Sequence, residues 1–569
     1  MHIDVVPNRH SPPAVLLRES YREGARVRKR TLANLSALSP GQVDAIRRTL
    51  KGERLVPVAD LFEIVHSRHH GHVQAVRAAI HRLGFESLIA SRPSRERNLI
   101  LAMVGARILE PASKLATTRW WHTTTLADGF GVTDADENDL YAALDWLLTR
   151  QTHIEKKLAA RHLKRGGCVL YDLTSSYFEG TTCPLAALGY NRDGKRGKLQ
   201  VNYGLLTDPR GCPVAVSVFE GNTGDPTTLL PQVEKLQKTF AIDQLVLVGD
   251  RGMISQKQID ALKPRAGLEW ITALRTGAIR TLVDGGHLQL GLFDERPLFE
   301  VTHPDFPGER LVACRNSQLA LLRAHKRQSL LDATSRDLEK VRGMIARGTL
   351  TGKATIGVRV GKVVDKYKMA KHLVLDIRED GFDFHRDEDQ VSAEAALDGL
   401  YVVRTSVPAD RLATDEVVRS YKRLSQVERA FRSLKTIDLE VRPIRHRLED
   451  RVKAHIFLGM LAHYVAWHMI ESWRPLLFCD EDQQAKTARD PVAPAKRSDA
   501  ALGKVSAKVL DDGTPVHSFR TLLQDLSSIV SNTCRRREAA TADEPTFTLV
   551  TTASPTQQRA YDLLQSIQM

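Results

Sequence analysis

The residue pattern predicts an α/β protein. A mixed sheet forms its core, a β-rich segment is inserted into that core, and a mainly helical region precedes it. Three observations point there. Apolar periodicity changes from helical to strand-like at Cys168. Three strand-like runs, a helix and the unalternating run Leu245-Val246-Leu247-Val248 then follow in order, and a run without alternation marks a strand buried on both faces. The core pattern pauses over 276–400 and returns at LYVVRTS (400–406).

Taken along the chain, AVLLRESY (14–21) and ARVRKRTLANL (25–35) read as two strands around Arg22-Glu23-Gly24. The first 50 residues hold nine Lys/Arg against four acids, so this hairpin suits a phosphate backbone or is an edge strand defended by charge. Residues 60–165 read as helical. Arg95 to Leu109 is one helix ending before Pro111, and Ser113 caps a second, KLATTRWW (114–121). A longer helix from near Asn138 carries Leu140, Leu144, Leu147 and Leu148 on one face and runs into IEKKLAARHLKR (154–165).

From Cys168, CVLYDLTSSYFEG (168–180), LQVNYGLLTD (199–208) and CPVAVSVFEGN (212–222) form an antiparallel meander, with Asp208-Pro209-Arg210-Gly211 as a turn. A helix with Asp225 as N-cap and Pro226 at N1 runs through LLPQVEKLQKTF (229–240). The buried strand ends at Gly249-Asp250, and EWITALR (269–275) is a further strand. Within 276–400 the pattern predicts a charged helix (317–347), strands over TIGVRVGKVV (355–364), and a hairpin turning at Asp380-Gly381. Helices over 414–436 and 451–473 follow, and 480–514 is polar, as in a linker. The expected division is 1–165, a DNA-binding region; 166–475, the core; and 476–569, a linker with a helical tail.

The chain has 82 Lys+Arg against 68 Asp+Glu, a formal charge of +14 that favours polyanions such as DNA. Its six cysteines contain no CxxC, which suggests neither a disulfide framework nor zinc and fits a reducing cytoplasm. The stretch Ile456 to Ile470 carries His463 and His468 and is too short and polar to span a bilayer. MHIDVVPNRHSPPAVLL lacks the pattern of a secretion signal.

Three strands, a helix, a buried strand and a helix is the order of an RNase H-like catalytic core. That architecture places carboxylates mid-way along its first strand, at the end of its fourth, and on a later helix. Asp172, Asp250 and Glu428 stand at those places. Asp172 interrupts an apolar strand, where aspartate is a poor strand former and costly to bury alone. Asp250 ends a buried strand, where open α/β sheets put their sites. Glu428 falls at helical spacing amid Val417, Tyr421, Leu424 and Phe431. Three such carboxylates suit two Mg²⁺ ions, with Mn²⁺ an alternative, for in-line displacement at phosphorus.

The segments YDLTSSYFEG (171–180), VGDRGM (248–253) and YKRLSQVERAFRSLK (421–435) resemble the DDE transposases of bacterial insertion sequences. The similarity is greatest to the subgroup with a Tyr-x2-Arg-x3-Glu-x6-Lys signature and a β-rich insertion before the Glu. Tyr421, Glu428 and Lys435 keep the spacing; Leu424 stands where the signature has arginine, with Arg423 beside it. The separations of 78 residues from Asp172 to Asp250 and 178 from Asp250 to Glu428 leave room for the insertion. The resemblance implies that Asp172, Asp250 and Glu428 bind the metal ions. Tyr421, Lys435, Arg432, Arg423 and the basic loop with Lys195 and Arg196 would contact DNA. It also implies double-stranded DNA partners (terminal inverted repeats and target), a homodimer on paired ends, and work at the bacterial nucleoid. The alternatives are a nuclease of the same fold and a catalytically inactive DNA-binding relative. A glycosidase with paired carboxylates fits the basic charge poorly.

Overall fold

The computed structural model describes all residues except 56–60, 295, 481, 483–488, 494–495, 537–544 and 568–569. The chain divides into two compact units, 1–68 with 530–552, and 69–529 with 553–569. In the first, β1 (His2–Val6), β2 (Ala14–Glu23) and β3 (Arg26–Asn34) form an antiparallel sheet in that order. The expected hairpin is β2–β3, and β1 is a strand the pattern did not suggest. Every residue of β3 is exposed, so its cations face solvent, with Arg28, Lys29 and Arg30 paired to Glu23, Asp4 and Glu19. The helix Pro40–Leu50 starts from a capping box in which Ser39 and Gln42 satisfy each other's backbone N–H groups. β4 (Phe62–His69) pairs with Val530–Arg536, which pairs with Phe547–Val550. Residues 62–69 were expected to be helical; the alternation in FEIVHSRH makes them a strand.

The second unit is built on an eight-stranded sheet. Its strands are β5 (Cys168–Tyr177), β6 (Gln200–Thr207), β7 (Pro213–Glu220), β8 (Leu245–Val248), β9 (Leu268–Ala273), β10 (Leu298–Val301) and β11 (Arg310–Arg315). After a separate hairpin of β12 (Leu373–Ile377) and β13 (Phe382–Arg386), β14 (Leu400–Thr405) completes it. The order is β10-β11-β14-β9-β8-β5-β6-β7. β5 is antiparallel to β6 and parallel to β8, and β8 is parallel to β9. All four residues of β8 are buried, as an unalternating strand requires.

The helices from Gly71–Arg82 to Gln151–His162 share one apolar core with this sheet and with the long helix Glu449–Ser472. The boundary expected at 165 therefore does not separate compact units, because the face carrying Leu140, Leu144 and Leu147 is buried in that common core. The C-terminal region is likewise no simple tail. Asp499–Ala507 and Phe519–Ser527 are helices of the second unit, 530–552 belong to the first, and the helix Pro555–Gln565 is again part of the second. Asp225 was expected to cap a helix. It instead opens a 3-10 turn whose N-cap is Gly224, and its carboxylate accepts hydrogen bonds from Arg192.

The inserted segment is not β-rich. β10 and β11 extend the central sheet. Besides the short helices Thr276–Asp284 and Glu388–Ala395, the remainder is two longer helices, Ser317–Ala346 and Lys353–Tyr367, which share an apolar cluster with the β12–β13 hairpin. Residues 355–364 were expected to be strands, because Ile356, Val358 and Val360 alternate with polar or small residues. Burial follows a four-residue step instead: Ile356, Val360 and Val364 are inside and Val358 is 60% exposed. β-Branched residues tolerate a helix when the packed face is this regular. Val360→Lys is therefore expected to lower stability by about 3 kcal/mol and Val358→Lys by less than about 0.5 kcal/mol. Thermal melts followed by circular dichroism separate the two, and equal losses would contradict the helix.

Candidate active site

Asp172 lies mid-way along β5. Alternation gives Asp172, Thr174 and Ser176 one face of the sheet and Tyr171, Leu173 and Ser175 the other. Leu205 and Tyr203 of β6 stand opposite Asp172 and Thr174. Tyr203 meets Phe431 edge-on at 5.9 Å, which seats the helix Leu424–Arg432 over this face. On the other face Tyr171 crosses Gly204 and donates to Thr228 at 3.0 Å; a Cβ on Gly204 would lie 2.2 Å from the Tyr171 hydroxyl.

Asp250 is placed by register. β5 and β8 pair in parallel with Leu170 beside Val248. β8 ends there, and Asp250, two residues on, lies near enough to Asp172 to repel its carboxylate. Gly249 keeps the chain in the sheet by donating to the Ile271 carbonyl at 3.2 Å. The exposed Asp250 carboxylate then accepts from the N–H groups of Gly252 (3.0 Å) and Met253 (2.6 Å), which fixes the turn.

Glu428 comes from the helix laid over β5, but not from the middle of an apolar face as expected. The helix breaks at Arg423, and the second half buries Val427, Ala430, Phe431 and Leu434 while Glu428 is exposed at the edge of that stripe. It nevertheless adds to the field at Asp172. Burial pushes the Asp172 carboxyl up to about 7, and Asp250 and Glu428 add repulsion. Tyr421 lies in the field of all three acids. Burial and then Asp250 push its phenol up to about 12, so it is a proton donor at neutral pH.

The half-buried Asp172 accepts one hydrogen bond, from its neighbour's N–H, at 2.8 Å. Among the described residues no Lys or Arg closes an ion pair with Asp172, Asp250 or Glu428, so their mutual repulsion lacks a contacting counter-charge. Hard oxygen donors with uncompensated charge suit Mg²⁺ or Mn²⁺. One oxygen from each does not gather within 4.8 Å, the spacing that would let a single ion bind all three. A pair of ions about 4 Å apart needs a wider cradle, because the outer carboxylates then hold different ions.

The cations named from sequence divide into two groups. Lys195, Arg196 and Arg432 are exposed. Arg423 is half-buried and paired with Glu416 at 2.8 Å, and the adjacent Leu424 is half-buried against the core. Lys435 is buried on a single π-helical turn, Ser433–Ile437. It donates to Thr174 at 3.1 Å and pairs with Asp193 at 2.5 Å. Arg442 also pairs with Asp193, which accepts from the Tyr177 N–H at 2.9 Å. Asp193 and Arg442 were missed from sequence. The only signal was an aspartate among the cations of NRDGKRGK (191–198), which reads as a turn residue. Arg192 was missed too; it pairs with Asp225 at 2.5 Å and lies close enough to Asp172 to offset part of its repulsion.

Residues 166–465 match the family described as the transposase DDE domain, and residues 3–56 match the IS1634 family transposase N-terminal domain. Among solved structures, a piggyBac transposase synaptic complex with hairpin DNA aligns with a TM-score of 0.34 at 10% identity, covering 80% of this chain and 77% of that one. No curated protein matches the chain. Among the described residues no helix is long and apolar enough to cross a membrane.

Proposed function

The chain belongs to the transposase DDE domain family, with an IS1634-type N-terminal domain, and from that premise we propose that it cuts and joins DNA at the ends of an insertion sequence. The observation that supports this reading is the parallel pairing of β5 and β8, whose chain continuations carry Asp172 and Asp250, in a sheet whose first strand is flanked as in an RNase H-like core. Asp172, Asp250 and Glu428 would hold two Mg²⁺ ions. Bound there, the ions supply charge stabilisation at phosphorus and a deprotonated water or 3′-hydroxyl.

The remaining work falls to the chain itself. Asp250 is held in orientation by the N–H groups of Gly252 and Met253, so it meets ligands without reorganising. Tyr421, protonated and beside the acids, donates to a phosphate oxygen. Exposed Lys195, Arg196 and Arg432 steer the DNA backbone, and Arg423 flanks the helix break in place of the arginine that Leu424 replaces. Lys435 keeps the signature spacing but acts from within, holding Thr174 and Asp193 rather than lying along DNA. The partners are double-stranded DNA, both terminal inverted repeats and target. We propose a homodimer that pairs the two ends and acts at the bacterial nucleoid. The exposed basic strand β3 is suited to lie on the terminal repeats.

A strand-transfer assay tests this. Purified protein with Mg²⁺, labelled terminal repeats and a target plasmid is expected to yield both nicked ends and joined product. Cutting without joining would replace the transposase reading with a nuclease. Binding of the repeats with neither product would favour a DNA-binding relative.

A further inference from the structure

A second cluster of metal-ligating side chains lies away from the acids. His162 ends the helix Gln151–His162, Cys212 follows the turn between β6 and β7, and His468 belongs to the helix Glu449–Ser472. One ligand atom from each comes within 4.8 Å of the others. We propose that His162, Cys212 and His468 form a structural zinc site that ties these three elements together.

The geometry suits the ion. Zn–S and Zn–N bonds at a tetrahedral angle put sulfur and nitrogen about 3.5 Å apart. Cys212 Sγ and His468 Nε2 are 3.8 Å apart, so a few tenths of an ångström closes the pair. Two imidazoles and a thiolate are soft-to-borderline donors that select zinc over magnesium. Cys212 and His468 are buried, and burial holds the His162 and His468 rings down to about 4 and about 3, so both are neutral ligands at physiological pH. The thiol is pushed up by burial and by Asp208, and coordination removes its proton.

The surroundings orient the ligands. Asp208, itself buried, accepts from the Cys212 N–H at 3.0 Å and from the Arg210 N–H at 2.8 Å, which fixes the turn that presents the thiol. The Tyr464 hydroxyl is 3.0 Å from His162 Nε2 and helps to fix the ring. Arg210 approaches His162 Nδ1 at 3.4 Å, while its guanidinium is held by Asp208 at 2.8 Å and lies over the Trp467 ring. The turn is three residues along β6 from Leu205, the cross-strand partner of Asp172. Zinc here would brace the strand pair that carries the acid without touching it.

Metal analysis of the full chain, purified without chelators from zinc-replete cells, tests this. One zinc per chain is expected. Replacing it with Co²⁺ should give a thiolate-to-cobalt charge-transfer band. Cys212→Ser and His468→Gln should lose both zinc and band, whereas Cys168→Ser and Asp250→Asn should keep them. Folded wild type with little zinc and no band would overturn the site, as would a band that survives Cys212→Ser. If the variants do not fold, wild type alone decides: a zinc-selective chelator must lower its melting temperature and added zinc must restore it, and no change refutes the site.

Discussion

Asp172→Asn is expected to reduce DNA cleavage by about a thousandfold or more, a loss of roughly 4 kcal/mol of transition-state stabilisation, while making the metal-free protein more stable at pH 8. The two effects have opposite signs because the same repulsion underlies both. The folded carboxyl sits near 7, above its ordinary 3.8. Below pH 3.8 it is protonated in both folded and unfolded chains and contributes nothing. As pH rises toward 7 the unfolded chain ionises more readily than the folded one, so stability falls, and above 7 the full penalty is present. At about 1.4 kcal/mol per unit, that penalty is on the order of 4 kcal/mol, and less after solvent screening at this half-buried position. Removing the charge removes the slope.

Added Mg²⁺ should reverse the ranking. Wild type gains melting temperature with Mg²⁺, more at pH 8 than at pH 6, since below 7 binding must displace the Asp172 proton and apparent affinity falls by up to about tenfold per unit. The Asn variant should show neither the gain nor its pH dependence. Paired melting curves with and without the ion, beside cleavage assays, check both halves. An Asn variant that is less stable than wild type at pH 8 without metal would mean that Asp172 serves packing rather than ion binding.

Asp172 and Asp250 were legible in the sequence because their positions follow from strand pattern alone: one interrupts an apolar strand, the other ends a buried one. Parallel register then does the rest. Glu428 is proposed from motif spacing, but its burial was misjudged, because the break at Arg423 shifts the buried stripe to Val427, Ala430 and Leu434. A one-residue turn of a helix changes a side chain's face without altering periodicity. The inserted helix 353–367 was misread for a related reason. Ile356, Val358 and Val360 satisfy a period of two, and packing against the preceding helix, Ser317–Ala346, selects the four-residue step instead. Burial of Lys435 was not legible at all, since its anion comes from a loop some 240 residues earlier and nothing local announces the pair.

That pair carries the other strong expectation. Asp193→Ala should destabilise the core by about 3–5 kcal/mol, because it leaves Lys435 and Arg442 without their shared carboxylate. The Asp193 and Lys435 side chains are 1% and 10% exposed, so water cannot replace the lost anion, and burial already holds the Lys435 ammonium below its ordinary range. With Asp193 gone, the loop 191–198 also loses its bond to the Tyr177 N–H, the anchor that helps to hold Lys195 over the Tyr177 ring at the end of β5. Lys435→Met in the same chain should recover part of the stability, since it removes one buried charge and leaves a side chain of similar length. It should not recover cleavage if the anchored loop is what presents cations to DNA. Chemical denaturation gives the first quantity and the strand-transfer assay the second. If Asp193→Ala is as stable as wild type, the ion pair is not a fixed part of the fold. If the double variant regains both stability and activity, the loop's position owes nothing to Asp193.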